Sequence, residues 1–203
     1  MDGLDVGVRE KNTRDRRAAL VEAAFALFAQ KGYAQTTMDD VAARAGLSRR
    51  TAFRYFASKE ELVFPVHAER LAQLRALLAP RAGETPFATV KRACLAVARV
   101  YEDDRAHMLA QWTIIQSEPA LLGRELELDR GSEDAIFEAF LAGDATPRAR
   151  RRARVRASAV VGAVRATLRE WLQGGATVDL VRLGRETFGE LEHGFGNAEG
   201  DVR

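Results

Sequence analysis

The 203-residue chain is predicted to be all-α, and three observations carry that expectation. Alanine, leucine, arginine and glutamate are abundant while glycine and proline are confined, which favours helix throughout. No run alternates β-branched and aromatic residues with polar ones, as a half-buried strand would. Capping residues, some followed at once by proline, punctuate the chain from end to end. About nine helices are expected: a three-helix N-terminal domain and a larger helical body. With 47% hydrophobic and 30% charged residues the chain can bury a sizeable core.

Residues 1–12 lack apolar periodicity and are expected to form a flexible basic arm. From Arg9 to Arg17, five basic residues (Arg9, Lys11, Arg14, Arg16, Arg17) stand against Glu10 and Asp15, a local excess of +3 in a chain whose formal net charge is +2. For a nucleic-acid partner the local distribution matters more than the sum. The domain over residues 13–62 opens with Thr13 capping a long helix, with Leu20, Val21, Ala24, Phe25, Leu27 and Phe28 on one face and Gly32 at its end. Thr37 caps a short second helix, with Asp40 three residues on as an imperfect capping box. Gly46 supplies a left-handed turn, and Ser48 caps a third helix at about 49–55. Tyr55 and Phe56 close the small core.

Two short helices joined by a glycine turn form a helix-turn-helix, whose second member enters the major groove with its N-terminal residues toward the bases. Here those residues are Arg49, Arg50 and Thr51. An arginine fork matches O6 and N7 of guanine, and a threonine methyl can touch thymine. Asp39 is ill suited to touching DNA.

The body, residues 63–203, continues the pattern. Ser58 caps a fourth helix running to Leu78, with Pro65 inside it to bend it. Thr85-Pro86 starts a fifth, Asp103 or Asp104 a sixth, and Pro119 a seventh that is interrupted near Gly131-Ser132. Thr146-Pro147 opens a long eighth helix ended by Gly174-Gly175. Thr177 caps the last, to about His193, and the glycine-containing tail is expected to fray.

Over residues 14–62 the chain resembles the N-terminal domain of the tetracycline-repressor family of bacterial regulators. The residues that carry this are Ala23-Ala24-Phe25-x-Leu27-Phe28-x-x-x-Gly32-Tyr33, then Thr36-Thr37-x-x-x-Val41-Ala42-x-x-Ala45-Gly46-Leu47-Ser48, and Thr51-x-Phe53-Arg54-Tyr55-Phe56-x-Ser58-Lys59-Glu60-x-Leu62. The stretch from Arg49 to Phe56 looks more specifically like actinobacterial members such as the mycofactocin-type regulators. By position, the resemblance implies phosphate contacts from Thr37 and Lys59, and base or phosphate contacts from Arg49, Arg50, Thr51, Arg54 and Tyr55. Arg14, Arg17 and Ser48 complete the candidate DNA-binding set. Phe53 stands where many members carry tyrosine, so a phenolic phosphate contact there is not implied.

The resemblance also implies a small-molecule effector enclosed by the body. Phe87, Tyr101, Met108, Trp112, Ile115 and Phe140 are the candidate apolar lining, with His107 as a polar contact. The implied function is a transcriptional repressor released from a palindromic operator by a largely apolar effector. The rival is an architectural DNA-binding protein without an effector, against which a body of this size argues. A homodimer is expected from the last two helices, through Val160, Val164, Leu168 and Trp171 on one and Leu180, Leu183 and Leu191 on the other. Pro65 is expected to act as a hinge linking body to reading head.

Enzyme chemistry finds no support: there is no phosphate loop, nucleophile elbow or interpretable Cys/His spacing. His67, His107 and His193 lack metal-ligand spacing, so neither metal nor cofactor is expected. The single Cys94 reads as a small core residue in a reducing cytoplasm. No apolar stretch approaches the roughly 18 residues of a membrane span, and the start is too charged for a secretory signal. The run Arg148, Arg150, Arg151, Arg152, Arg154, Arg156 reads as a solvated face paired with Glu133, Asp134 and Asp144, or as a site for a phosphate-bearing anion.

Overall fold

The computed structural model describes residues 2–143 and 146–194, with side chains from residue 11 onward. The expected frayed tail and Asp144 lie outside those residues. Among the described residues there are ten α-helices and no strand: α1 Asp2–Lys31, α2 Met38–Arg44, α3 Arg49–Tyr55, α4 Lys59–Val63, α5 His67–Leu77, α6 Pro86–Asp103, α7 Arg105–Ser117, α8 Pro119–Leu141, α9 Pro147–Gln173 and α10 Leu180–His193. None is long and apolar enough to cross a membrane.

The chain forms two compact units, Met1–Val66 with Ala110–Gly123, and His67–Leu109 with Arg124–Arg203. The first centres on Leu20, Ala24 and Phe28 of α1, Val41 of α2, Ala52 and Phe56 around α3, and Leu62 and Val63 of α4. Ile114, Ile115 and Leu121 join this same core, so the reading head recruits a segment that local periodicity assigns to the body. The second unit packs α5, α6, α8, α9 and α10 around Leu74, Val90, Ala93, Phe137, Ala157 and Phe188.

Several boundaries differ from the sequence expectation, each for a local reason. The basic arm continues α1 instead of preceding it. Glu10 stands four residues before Arg14, a spacing that favours helix, and no proline interrupts. Pro65 does more than bend the fourth helix: α4 ends at Val63 and α5 begins at His67, which raises the helix number from nine to ten. The break is built in, because the Gln111 amide donates to the Val63 carbonyl and Arg17 Nη2 to the Pro65 carbonyl at 3.0 Å. Gly131 does not interrupt α8. A Cβ there would lie 2.9 Å from Leu71 Cδ2, so this glycine serves close helix packing. The last helix is capped by Asp179, which accepts from Arg182 N at 2.6 Å, while the Glu102 carboxylate accepts from Leu180 N. Thr177 instead donates to the Gly174 carbonyl at 3.1 Å.

Candidate nucleic-acid interface

The helix-turn-helix is assembled by short-range bonds that the sequence specifies directly. Thr37 and Asp40 form a complete capping box: Asp40 N donates to Thr37 Oγ1 at 3.2 Å and Thr37 N to Asp40 Oδ2 at 2.9 Å. Lys31 adds a 2.7 Å ion pair, and these bonds, Lys31 first, hold the Asp40 carboxyl well below the usual carboxylate range. Gly46 adopts φ +67°, the left-handed conformation the turn requires. Ser48 Oγ then accepts from Thr51 N at 3.2 Å and meets Thr51 Oγ1 at 2.9 Å.

The face presented by α3 is exposed and cationic. Arg49, Arg50 and Arg54 all stand in solvent, and Phe53 between them is 41% exposed. Arg49 stacks over the Phe53 ring at 5.4 Å and pairs with Asp39 of α2 at 3.1 Å. Arg54 stacks over Tyr55 at 5.1 Å. Arg54 is the main cause of a Tyr55 phenol pKa below its ordinary value, with Thr13 and Arg16 acting in the same direction. Arg14 is exposed on α1. Thr37 and Ser48 are exposed too, with their hydroxyls engaged in capping.

Two of the expected DNA-binding residues are turned inward. Lys59 Nζ donates to the carbonyls of Tyr33, Ala34 and Thr36 at 3.0, 3.4 and 3.3 Å, and sits 4.2 Å from the Tyr33 ring centroid. An ammonium has three protons, so its donors are occupied by the loop between α1 and α2. Arg17 binds the carbonyls of Tyr55 and Pro65 and stacks 4.7 Å over Phe56, tying α1 to the ends of α3 and α4. Tyr33 extends the same network by donating to Glu60 Oε1 at 3.0 Å, and burial, then Glu60, raises its phenol pKa.

The expected effector residues fall in both units. Ile115 is a core residue of the first unit, and Trp112 belongs to that unit as well. In the second unit Met108 is buried, His107 is half-buried with its pKa lowered chiefly by desolvation, and Tyr101 lies beneath Arg70 at 4.9 Å. Tyr101 lines a cavity of about 50 Å³ together with Cys94, whose thiol burial pushes up to about 12. Phe87 and Phe140 do meet, in a separate cleft of about 410 Å³. A larger cleft, about 660 Å³, is lined by Arg75, Glu84, Asp134 and Glu138 among small apolar residues, none of them anticipated as effector residues.

Three residues of the expected dimer stripe are core and four are partly buried. Val160, Trp171 and Leu180 are 2%, 1% and 4% exposed within one protomer, and Val164 and Leu168 line the small cavity beside Tyr101. Leu191 packs on the second core and Leu183 is half-buried. Trp171 Nε1 donates to the Val178 carbonyl at 2.8 Å, which closes the turn into α10. The apolar face of α9 packs against α10 and the body, so its solvent face carries other residues: Val155, 63% exposed, then Ala159, Gly162 and Ala166. In the arginine run, Arg154 pairs with Asp134 at 2.9 Å and stacks over Phe137 at 4.1 Å. No group of histidine, cysteine or carboxylate side chains able to hold a metal occurs among the described residues.

A helix-turn-helix with an exposed arginine face, followed by a helical body, defines a DNA-binding regulator. Residues 20–66 match the family described as bacterial regulatory proteins of the tetR family, and residues 84–196 match the MftR C-terminal domain. The chain belongs to the tetR family of helix-turn-helix transcriptional regulators. Among curated relatives it is 33% identical over 137 residues to the transcriptional regulator TcmR of Streptomyces glaucescens, an alignment of 64% of this chain and 61% of that one. It is 30% identical over 117 residues to the putative mycofactocin biosynthesis regulator MftR of Mycobacterium tuberculosis, 57% and 59% of the two chains. The chain thus spans about three fifths of the length of these relatives. The fold is shared with NalD of Pseudomonas aeruginosa (TM-score 0.65, 18% identity, 91% and 97% of the chains). It is shared too with the repressor FadR of Thermus thermophilus, solved with lauroyl-CoA (TM-score 0.57, 21% identity, 92% and 98%).

Proposed function

We propose that this regulator is a repressor that binds a palindromic duplex site as a homodimer and leaves it when a small, largely apolar effector occupies the second unit. The observation that carries the DNA half is the solvent-facing row Arg49, Arg50 and Arg54 on a helix fixed at its start by Ser48. Arg49 and Arg50 occupy the N-terminal positions that reach base edges, and Arg54, Tyr55, Thr51 and Arg14 stand on the same unit as further DNA contacts. Thr37 and Ser48 contribute by ordering the turn. Two reading helices about 34–36 Å apart would address successive major grooves.

The dimer is assigned to the solvent face of α9. Val155, Ala159, Gly162 and Ala166 recur at steps of four, three and four residues, the seam spacing of packed helix pairs, and their small size permits close approach. In the effector half, Phe87 and Phe140 of the expected set share a cleft. The effector-free architectural reading is the rival. In vitro selection of the binding site, followed by operator titration against a metabolite panel, separates the two: operator binding indifferent to every compound favours the architectural reading. Replacement of Arg49 or Arg50 by alanine should cost about 1–3 kcal/mol on the selected site and less on random DNA. Equal losses on both would remove the base-reading role.

A further inference from the structure

The arginine run at the start of α9 belongs to the second unit, and one of its members lines a concave site. Four elements converge on the cleft of about 410 Å³: Thr85 to Phe87 at the start of α6, Phe140 of α8, Arg156, Ala159 and Val160 of α9, and Leu191 of α10, so the cleft borders the proposed seam between copies at Ala159. Its floor is apolar. Its charges are Arg156 and Glu192, and Glu192 is already neutralised by Lys91 at 3.2 Å. Arg156 makes no ion pair among the described residues; its guanidinium lies 6.0 Å from the Phe140 ring centroid, at the edge of stacking range. Arg154, two residues earlier, is by contrast consumed by Asp134 and Phe137. The first turn of α6, an 18-residue helix, lines the same cleft, and its dipole favours an anion there. The larger cleft carries Arg75, Glu84, Asp134 and Glu138, of which Glu84 and Asp134 are already paired with Arg92 and Arg154.

We propose that the cleft between α6, α8, α9 and α10 binds an amphipathic carboxylate. The apolar body of the ligand lies against Phe87, Phe140, Val160 and Leu191, and its carboxylate takes the Arg156 fork in a bidentate pair. An apolar lining with one oriented charge is the pattern of a small-molecule site. This deepens the effector reading and rests on it, by giving that effector a charge sign and a place.

The test uses the full-length protein and three probes of equal chain length: sodium octanoate, 1-octanol and octyltrimethylammonium. Binding is read by titration calorimetry below micellar concentrations. Octanoate should bind about tenfold tighter than octanol, and Arg156→Gln should remove that advantage while leaving octanol binding unchanged. Arg148→Gln, on the same helix but not lining the cleft, should bind octanoate as the parent does. Equal affinity for the three probes, or equal losses from both substitutions, overturns the proposal. Operator release, followed with labelled DNA, separates the two layers. Octanoate binding that depends on Arg156 without releasing DNA supports the site and removes the effector reading. Release of DNA by octanol and octanoate alike keeps an effector and removes the carboxylate.

Discussion

Arg50 and Lys59 carry the same charge on the same small unit, yet their surroundings give them different work. Arg50 stands in solvent on α3; Lys59 holds three carbonyls of the loop between α1 and α2. Lys59→Met should therefore destabilise the protein by about 1–3 kcal/mol, read by thermal unfolding, because it leaves carbonyls without a donor. Once folded, the variant should keep the parent's salt dependence of DNA binding. Arg50→Ala should leave unfolding unchanged and weaken operator binding. If Lys59→Met instead flattened the salt dependence with no loss of stability, the inward role would fall. Asp39 invites a second comparison. Its pair with Arg49 is exposed on both sides and worth only about 0–1 kcal/mol to the fold. A carboxylate beside the reading helix repels phosphate from any sequence, so Asp39→Asn should tighten binding to random DNA more than to the selected operator. Gel-shift titrations on both duplexes check this; an unchanged ratio would contradict it. A motif shows which residue types occupy the reading head. It does not show which way a long side chain turns, because the partners of Lys59 and Arg17 are backbone carbonyls brought close only by the fold.

At the scale of elements most caps were legible, although Thr13 lies inside α1, Ser58 makes no side-chain capping bond and Asp179 stands in for Thr177. Thr37, Ser48, Thr85 and Thr146 each accept a backbone N–H where their position ahead of a helix predicts it. The break at Pro65 depends on Gln111, 48 residues from Val63, and no local pattern announces that bond. Gln111 is 6% exposed, so Gln111→Leu should cost about 1–3 kcal/mol in chemical denaturation through the unpaired Val63 carbonyl. The clamp between α5 and α6 gives a pH signature. Arg92 donates to both oxygens of Glu84 at 2.9 Å and to the carbonyls of Leu77 and Ala79, and the pair with Arg92 lowers the Glu84 pKa from its ordinary 4.5 to about 2. A depressed carboxyl pKa stabilises the fold fully above about 4.5, and that contribution is lost as pH falls toward 2. The stability difference between the parent and Glu84→Gln should shrink over that window, as followed by urea unfolding at stepped pH. A difference that stays constant would show that the clamp is not what titrates.

For the whole molecule, hydrophobic periodicity located buried faces without saying what buries them. Val160, Trp171 and Leu180 recur at helical spacing because α9 and α10 close on their own chain, and the same pattern would serve a dimer equally well. The residues left for a partner copy are small: Val155, Ala159, Gly162 and Ala166. Gly162 is exposed and a Cβ there meets nothing within 4 Å outside its own turn of helix, so a side chain can leave the helix toward solvent. Gly162→Arg should thus fold as the parent does yet sediment as a monomer at micromolar concentration, and it should lose operator affinity as one reading head is separated from the other. A dimer that persists in this variant would move the interface elsewhere.

Cys94 sits in a small apolar cavity and holds its proton to about pH 12. Alkylating reagents attack thiolate, so this sulfur should react slowly while the cavity around it is intact. The rate at which iodoacetamide traps it therefore measures how often the second unit opens, and a ligand that stays bound only to the closed form should slow that clock. The chain thus carries its own reporter of effector occupancy, with no dye or added label.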